Sequence, residues 1–233
     1  MSRTVSISSV KKDFIKRVES SVALVKISKQ NQSSRNGDGL KQKHVEQIMG
    51  LAFMSIIAAW EDFLEGCMVR YLKGRIVNPP NVVKSKLGEL SGLDMAYKII
   101  GGFSFERKKE YLKFSDLKSV KQMAEVYFII HPFSPTDHEI NLVKYMSIIR
   151  NRIAHNSEKA RLEFNSVSKK FLNLEKSANL PQGWSVGVLL SRQPSTPVFT
   201  NSQVKNFKQA KISNNFEAFI FILKELANKF APV

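Results

Sequence analysis

The sequence contains little of what a secreted or metal-binding protein usually needs. Cys67 is the only cysteine among 233 residues, so no disulfide can form within the chain. The four histidines, His44, His131, His138 and His155, are widely separated and show no metal-ligand spacing. We therefore expect no metal site, no cofactor and a reducing, cytoplasmic location.

Long apolar runs are missing too. The longest one, residues 48–60, is well short of the roughly 20 residues needed to cross a bilayer, and Glu61 and Asp62 follow it at once. The first residues, MSRTVSISSVKKDF, contain no apolar stretch of the signal-peptide type. Both observations favour a buried core segment and agree with the expected cytoplasmic location.

Acidic residues are scarce relative to basic ones. The chain has 36 Lys and Arg against 20 Asp and Glu, a formal charge of +16. Such a positive field attracts polyanions, so nucleic acid is the leading class of partner. Because the basic residues are spread over many segments, the alternative is a solvated face that keeps the protein soluble. An anionic membrane surface is a third, less favoured reading.

The apolar pattern predicts an all-α protein. With 43% hydrophobic residues, the chain can bury the core of one domain spanning residues 1–233. Apolar residues three and four positions apart predict helices at 8–29, 40–73, 115–130, 136–155, 157–174 and 214–230, with short helical patterns at 82–90 and 93–100. Residues 181–200 are rich in Gly, Pro, Ser and β-branched residues and predict an inserted β-hairpin or extended arm.

The segment IIRNRIAHNS, residues 148–157, stands where two predicted helices meet. Thr136 and Glu139 have the spacing of a capping box and begin the first of these helices. Asn156 is expected to end it in a left-handed conformation, and Ser157 is expected to start the next helix. The polar residues Arg150, Asn151 and His155 therefore cluster near a helix terminus.

These three residue types suit the cleavage of a phosphodiester. The planar guanidinium of Arg150 can bind phosphate oxygens and the charge that develops on them. The imidazole of His155 can take a proton from a ribose 2′-hydroxyl or give one to the leaving 5′-oxygen. Asn151 lies one turn before His155 and could orient its ring. The alternative is an ordinary helix end, whose last carbonyls are often satisfied by Arg and His.

The helical geometry adds a condition. On a straight helix Arg150 and His155 lie about 140° apart, so they converge on one phosphate only if the helix ends before His155. A two-fold dimer is the other solution, because the arginine of one chain and the histidine of its partner could then face a shared cleft.

The motif resembles the R-N-x-x-x-H signature of ribonuclease-type HEPN domains, and SIIAAWEDFLEG is similar to the long-helix segment of a RiboL-PSP-HEPN-like branch. The resemblance covers chiefly residues 40–73 and 138–176. It implies an up-and-down helical bundle, a homodimer and metal-independent endoribonuclease activity, with Arg150 and His155 as catalytic residues and Asn151 as the polar residue between them. It also implies a toxin or defence effector, with a cognate antitoxin or defence protein as a partner.

Further residues could support such a site. The resemblance implies that an acidic residue on the long helix can support catalysis, and Glu61 is the candidate. The alternative is that Glu61 is a solvated carboxylate. Arg152, Lys159 and Arg161 flank the motif and are candidate RNA-binding residues, or simply a solvated face. The alternative function is a non-catalytic HEPN-like module that binds RNA or a partner protein.

Overall fold

The computed structural model describes residues 6–32, 39–74, 83–106 and 109–232. Most of these residues are helical, as the periodicity predicts. In chain order the elements are α1 (Ile7–Gln30), α2 (Gln42–Lys73), β1 (Lys84–Ser85), α3 (Leu93–Gly101), α4 (Leu117–Tyr127), β2 (Phe128–Ile130), α5 (Asp137–Ala154), α6 (Glu158–Phe171), α7 (Val186–Ser191), α8 (Asn201–Gln209) and α9 (Asn215–Phe230). The predicted all-α class is confirmed apart from one small sheet.

The helix predicted at 82–90 is wrong over residues 83–90, and residue 82 lies outside the described residues. The helix predicted at 115–130 is confirmed as α4 except for its last three residues, which form β2. β1 and β2 pair in antiparallel fashion, with Lys84 opposite Ile130 and Ser85 opposite Phe128. The helix predicted to reach Ile130 ends at Tyr127, because the next three residues are apolar and β-branched or aromatic and gain ladder hydrogen bonds. A short apolar run of this kind has no periodicity that separates a strand from a helix.

The described residues form two compact units. The first lies within Met1–Lys16, Ala58–Lys144 and Lys224–Val233, and the second within Arg17–Ile57 and Tyr145–Leu223. In unit 1, the ring of Trp60 lies 5.8 Å from Phe14, 5.3 Å from Phe63 and 6.1 Å from Phe230, centroid to centroid. Aromatic rings at these separations pack in the offset and edge-on arrangements that they favour.

Unit 2 contains an aromatic cluster that includes Phe219. The ring of Phe219 lies 5.6 Å from that of Phe53 and 5.9 Å from those of Phe171 and Phe199. These four rings come from α2, α6, α9 and the segment after α7, so one aromatic cluster joins four parts of the chain. All four side chains are buried.

The predicted hairpin or extended arm at 181–200 is wrong. Within these residues the chain forms turns and the helix α7. Leu189, Leu190, Val198 and Phe199 are buried, so the segment contributes to the core of unit 2. Gly183 and Pro197 lie in turns before and after α7, whereas Gly187 lies within the helix, and Leu189 and Leu190 of α7 pack inward.

The helix α2 is long and apolar enough, by length and composition, to cross a membrane, and 56% of the qualifying window is buried within the protein. The apolar residues of this helix include Phe53, Ile56, Trp60 and Leu64, and all of these are buried. The core helix of a globular protein meets the same test of length and composition.

The N-terminus of α4 allows a test of stability against pH. The Asp116 carboxylate accepts hydrogen bonds from the backbone N–H groups of Lys118 and Ser119, both at 3.2 Å, and from the Ser119 hydroxyl. Burial by itself raises the pKa of Asp116, but these hydrogen bonds outweigh it and lower the pKa below its ordinary value. The cap therefore stabilises the protein fully at pH values above the ordinary pKa of an aspartate. This stabilisation is lost as the pH falls through the lowered pKa of Asp116 in the folded protein.

We expect Asp116→Ala to lower the free energy of unfolding by about 1 kcal/mol at pH 7, the usual cost of losing an N-cap. In acid the difference from wild type should shrink, because the wild-type carboxyl is then protonated as well. Urea denaturation of both proteins at pH 7 and in acid measures this. An equal difference at both pH values would show that the charged carboxylate is not the stabilising form.

Candidate functional site

The helix that holds the motif begins as its sequence predicts. The backbone N–H of Thr136 donates to Glu139 Oε2 at 2.6 Å, and the N–H of Glu139 donates to Thr136 Oγ1 at 3.2 Å. These reciprocal bonds confirm the capping box and satisfy two donors of the first turn of α5. Asp137 adds a negative charge there, where the helix dipole favours it.

The helix ends immediately before His155. Ala154 is the last residue of α5, although the backbone N–H of His155 still donates to the Asn151 carbonyl at 2.9 Å. Earlier in the helix, Leu142, Met146 and Ile149 are buried, while Ile153 is only half-buried. Because this hydrogen bond keeps the His155 backbone in the last helical turn, the convergence of Arg150 and His155 on one phosphate stays a prediction.

The three motif residues lie in unit 2 and have different surroundings. Arg150 is half-buried, and its Nη1 donates to Asn151 Oδ1 at 3.1 Å. The amide of Asn151 is thereby aligned with the guanidinium, whereas the prediction was that it orients the His155 ring. His155 itself is exposed. The imidazole of His155 is therefore accessible, and the guanidinium of Arg150 is bonded to the Asn151 amide.

The connection between α5 and α6 differs from the prediction at one residue. In the part of the chain that the structure describes, the non-glycine residues with a positive φ are Asn173 and Lys211. Asn156 is therefore not the left-handed terminator that we predicted. Its side-chain oxygen instead accepts a hydrogen bond from Arg152 Nη1 at 3.1 Å, which holds the turn without a left-handed residue. Ser157 caps α6 as predicted, accepting from the backbone N–H of Ala160 at 3.2 Å.

A cleft of about 1010 Å³ opens beside the motif, entirely within unit 2. Its walls come from one face of α2 that includes Lys43, Glu46 and Leu51, from Arg152 and Ile153 of α5, from the face of α6 with Arg161 and Phe164, and from the segment around Trp184. We call it the Trp184 cleft after its largest aromatic side chain. Its volume lies at the upper end of the roughly 300–1,000 Å³ typical of ligand pockets. Arg150, Asn151 and His155 do not line it, but Arg152 does.

Of the three candidate RNA-binding residues, the structure brings Arg152 and Arg161 to this cleft. Arg161 donates to Glu158 at 2.5 Å and 3.2 Å, and these bonds and the adjacent charge lower the pKa of Glu158. Arg152 instead donates to neutral oxygens, the carbonyl of His155 at 3.3 Å and the amide of Asn156. Its charge is therefore not compensated by a carboxylate of the described chain. Lys159 is exposed on α6.

Glu61 lies in the part of α2 that belongs to unit 1, whereas the motif lies in unit 2. It is half-buried. Glu65, one turn later, accepts a hydrogen bond from the Tyr97 hydroxyl at 2.7 Å, so that carboxylate has a structural role. The supporting role of Glu61 remains a prediction.

The sequence reasoning missed three residues that the fold brings to the cleft: Lys43, Glu46 and Trp184. A signal existed for Trp184, because a large aromatic residue between Gly183 and Ser185 in a turn-rich segment is typical of a binding loop. Lys43 and Glu46 give no signal, since charged residues in the first turns of a helix are usually solvated.

Other reactive groups are less suited to chemistry. Burial raises the pKa of the Cys67 thiol, which therefore stays protonated and unreactive. Burial also lowers the pKa of His131 and favours its neutral imidazole. Both residues lie in unit 1. Among the described residues, no three of the types His, Cys, Asp and Glu are grouped as metal ligands.

Comparison with known proteins adds no relative: the chain matches no family model, no curated protein and no solved structure.

Proposed function

We propose that this protein is a metal-independent endoribonuclease of the HEPN type that cleaves single-stranded RNA. The observation that supports this most is the end of α5, where Arg150 is bonded to Asn151 and the exposed His155 follows the last helical residue. The mostly helical fold agrees with a HEPN-like bundle. A role as a toxin or defence effector, with an antitoxin or defence partner, belongs to the same proposal.

The chemistry follows from the residue types. His155 removes the proton from a ribose 2′-hydroxyl, and the 2′-oxygen attacks the adjacent phosphorus. The 5′-oxygen leaves and takes a proton, so the products are a 2′,3′-cyclic phosphate and a 5′-hydroxyl. Arg150 binds the non-bridging oxygens, where negative charge increases in the transition state. Asn151 acts as a positioning residue, because its amide oxygen holds the guanidinium of Arg150.

A homodimer would complete this site. On a straight helix Arg150 and His155 lie about 140° apart, so one motif does not bring both groups to one phosphate. Across a two-fold axis, Arg150 of one chain and His155 of its partner would face each other twice, which gives two equivalent sites in a shared dimer cleft. In each site the His155 imidazole takes the proton of the 2′-hydroxyl and then returns it to the leaving 5′-oxygen. The exposure of His155 leaves it accessible to a partner chain.

One observation favours the alternative, a non-catalytic module that binds RNA or a protein. The Trp184 cleft is lined by Arg152 and not by Arg150 or His155. A protein that only binds would need this cleft and not the motif. Cleavage by the purified protein distinguishes the two functions.

We expect the purified protein to cleave an unstructured RNA oligonucleotide with an unchanged rate in excess EDTA, because no step of the mechanism uses a metal ion. The fragments should carry a 2′,3′-cyclic phosphate or its 3′-phosphate hydrolysis product, which mass spectrometry identifies.

An oligonucleotide with a 2′-deoxyribose at the cleaved position is the matched control and should stay intact, since it lacks the nucleophile. Complete loss of cleavage in EDTA, or fragments ending in a 3′-hydroxyl, would overturn the mechanism.

A further inference from the structure

The Trp184 cleft combines a net positive charge with an aromatic wall, since, of the residues that the structure describes, three cations line it against the one carboxylate of Glu46. Lys43 and Arg152 line it, and neither has a carboxylate within ion-pair distance among the described residues. Arg161 lines it as well but is paired with Glu158. Two cations of this kind at one cleft attract a phosphate group, and Arg152 offers the planar donor geometry that suits its oxygens.

The aromatic wall is held in place by its neighbours. The Arg192 guanidinium carbon lies 5.6 Å from the centroid of the Trp184 ring, a cation–π contact that restrains the indole. Phe164, which is buried, lies in the same lining. The indole Nε1 is buried and has no hydrogen-bond partner among the described residues. A planar, apolar surface beside a phosphate site suits the base of a nucleotide, because every base has a π-face that can stack.

The segment that contains Trp184 is fixed against α2 by close contacts. A Cβ atom at Gly187 would overlap Glu46, lying 2.8 Å from the Glu46 Cα atom. The hydroxyl of Ser185 donates to Glu46 Oε2 at 3.4 Å, and Gln42 Nε2 donates to Glu46 Oε1 at 2.8 Å. The cleft is thus built by packing of helix on helix, and the Glu46 carboxylate is held by neutral donors rather than by the cations.

We propose that the Trp184 cleft binds an unpaired nucleotide of a single-stranded RNA, with a phosphate at Lys43 and Arg152 and the base against Trp184. The base must be unpaired, because bases in an A-form duplex are stacked and cannot enter such a cleft. Arg152 connects the cleft to the proposed cleavage site, since its Nη1 donates to the carbonyl of His155. That the nucleotide belongs to RNA rests on the proposed function. The presence of the cleft and of its charges does not depend on that function.

Fluorescence can test this in the intact chain, because the protein has two tryptophans. Trp184 lines the cleft, while Trp60 is buried in the aromatic cluster of unit 1. With His155→Ala protein, which keeps the substrate intact, we expect an unstructured RNA oligonucleotide to quench tryptophan emission. A Trp184→Phe substitution on the same background should retain RNA binding, measured by anisotropy of labelled RNA, but lose the quenching.

Binding measurements on variants test the aromatic part and the phosphate-binding part of the cleft separately. Trp184→Ala should weaken binding of the labelled RNA about 10-fold or more, as expected for loss of one base–aromatic stack. Arg152→Gln should lower the slope of log Kd against log salt by about 0.7, the contribution of one phosphate contact to a single strand. Lys205→Ala, which removes an exposed charge of α8 outside the cleft, is the matched control and should change neither.

Further measurements distinguish the possible ligands of the cleft. They also separate the proposed binding site from the proposed nuclease activity. A duplex of the same sequence should bind at least about 10-fold more weakly than the single strand. Adenosine monophosphate binding as tightly as the oligonucleotide would overturn the assignment to an RNA strand. RNA that binds without quenching Trp184, with unchanged affinity in Trp184→Ala and Arg152→Gln, would overturn the cleft as its site. Cleavage by wild type is scored separately, so binding with quenching but no cleavage contradicts only the proposed nuclease.

Discussion

Replacing His155 with alanine is expected to lower the rate of RNA cleavage by about 10²–10⁴-fold, the usual contribution of a general acid or base. Arg150→Ala should lower it by about 10²–10³-fold, as removal of a donor to a developing oxyanion does. Because His155 is exposed and Arg150 only half-buried, both variants should keep the wild-type stability. Initial rates on a labelled oligonucleotide and urea denaturation measure the two effects.

The controls remove the same kinds of side chain elsewhere in unit 2. His44→Ala removes another histidine, on α2, and Lys205→Ala removes an exposed positive charge on α8. Both should keep the wild-type rate, since neither residue lies in the motif or lines the Trp184 cleft. Wild-type rates in His155→Ala or Arg150→Ala would remove that residue from the mechanism, and slow cleavage in the controls would show that the loss is not specific.

Mixing the two inactive variants tests the shared dimer cleft. If each site takes Arg150 from one chain and His155 from its partner, random mixing restores about one quarter of the sites, because half of the dimers are mixed and one of their two sites is intact. If each chain forms its own site, mixing restores none. The second result would contradict the dimer while leaving the roles of both residues in place.

Phe219→Ala is expected to lower the free energy of unfolding by about 3–5 kcal/mol, the typical cost of truncating a buried aromatic side chain to alanine. The reason is that its ring is fully buried in unit 2 and contacts those of Phe53, Phe171 and Phe199. The cavity left in the cluster cannot be filled without moving helices from different parts of the chain. Urea denaturation followed by circular dichroism measures the loss.

Phe103→Ala is the matched control, because this phenylalanine is 81% exposed. Its replacement should change the free energy of unfolding by no more than about 0.5 kcal/mol. A cost below about 1 kcal/mol for Phe219→Ala would mean that the aromatic cluster repacks and that unit 2 does not depend on it.

Several local features of this protein were determined by the sequence alone. The capping box of Thr136 and Glu139 and the cap at Ser157 each join residues three positions apart. The apolar spacing of α1, α2 and α6 has the same short range. Interactions of this kind act before any tertiary contact forms, so residue order is sufficient to predict them.

Only the tertiary structure decided how residues 181–200 fold and which charges face one cleft. Ser185 and Glu46 are 139 positions apart, and no helical or strand period relates them. Burial of Leu189, Leu190 and Phe199 in unit 2 overrides the turn-rich composition that predicted a hairpin. Packing depends on the shape and the buried apolar area of segments that are distant in the sequence. This packing brings Trp184, Lys43 and Arg152 to one cleft, beside a motif that the sequence itself had already indicated.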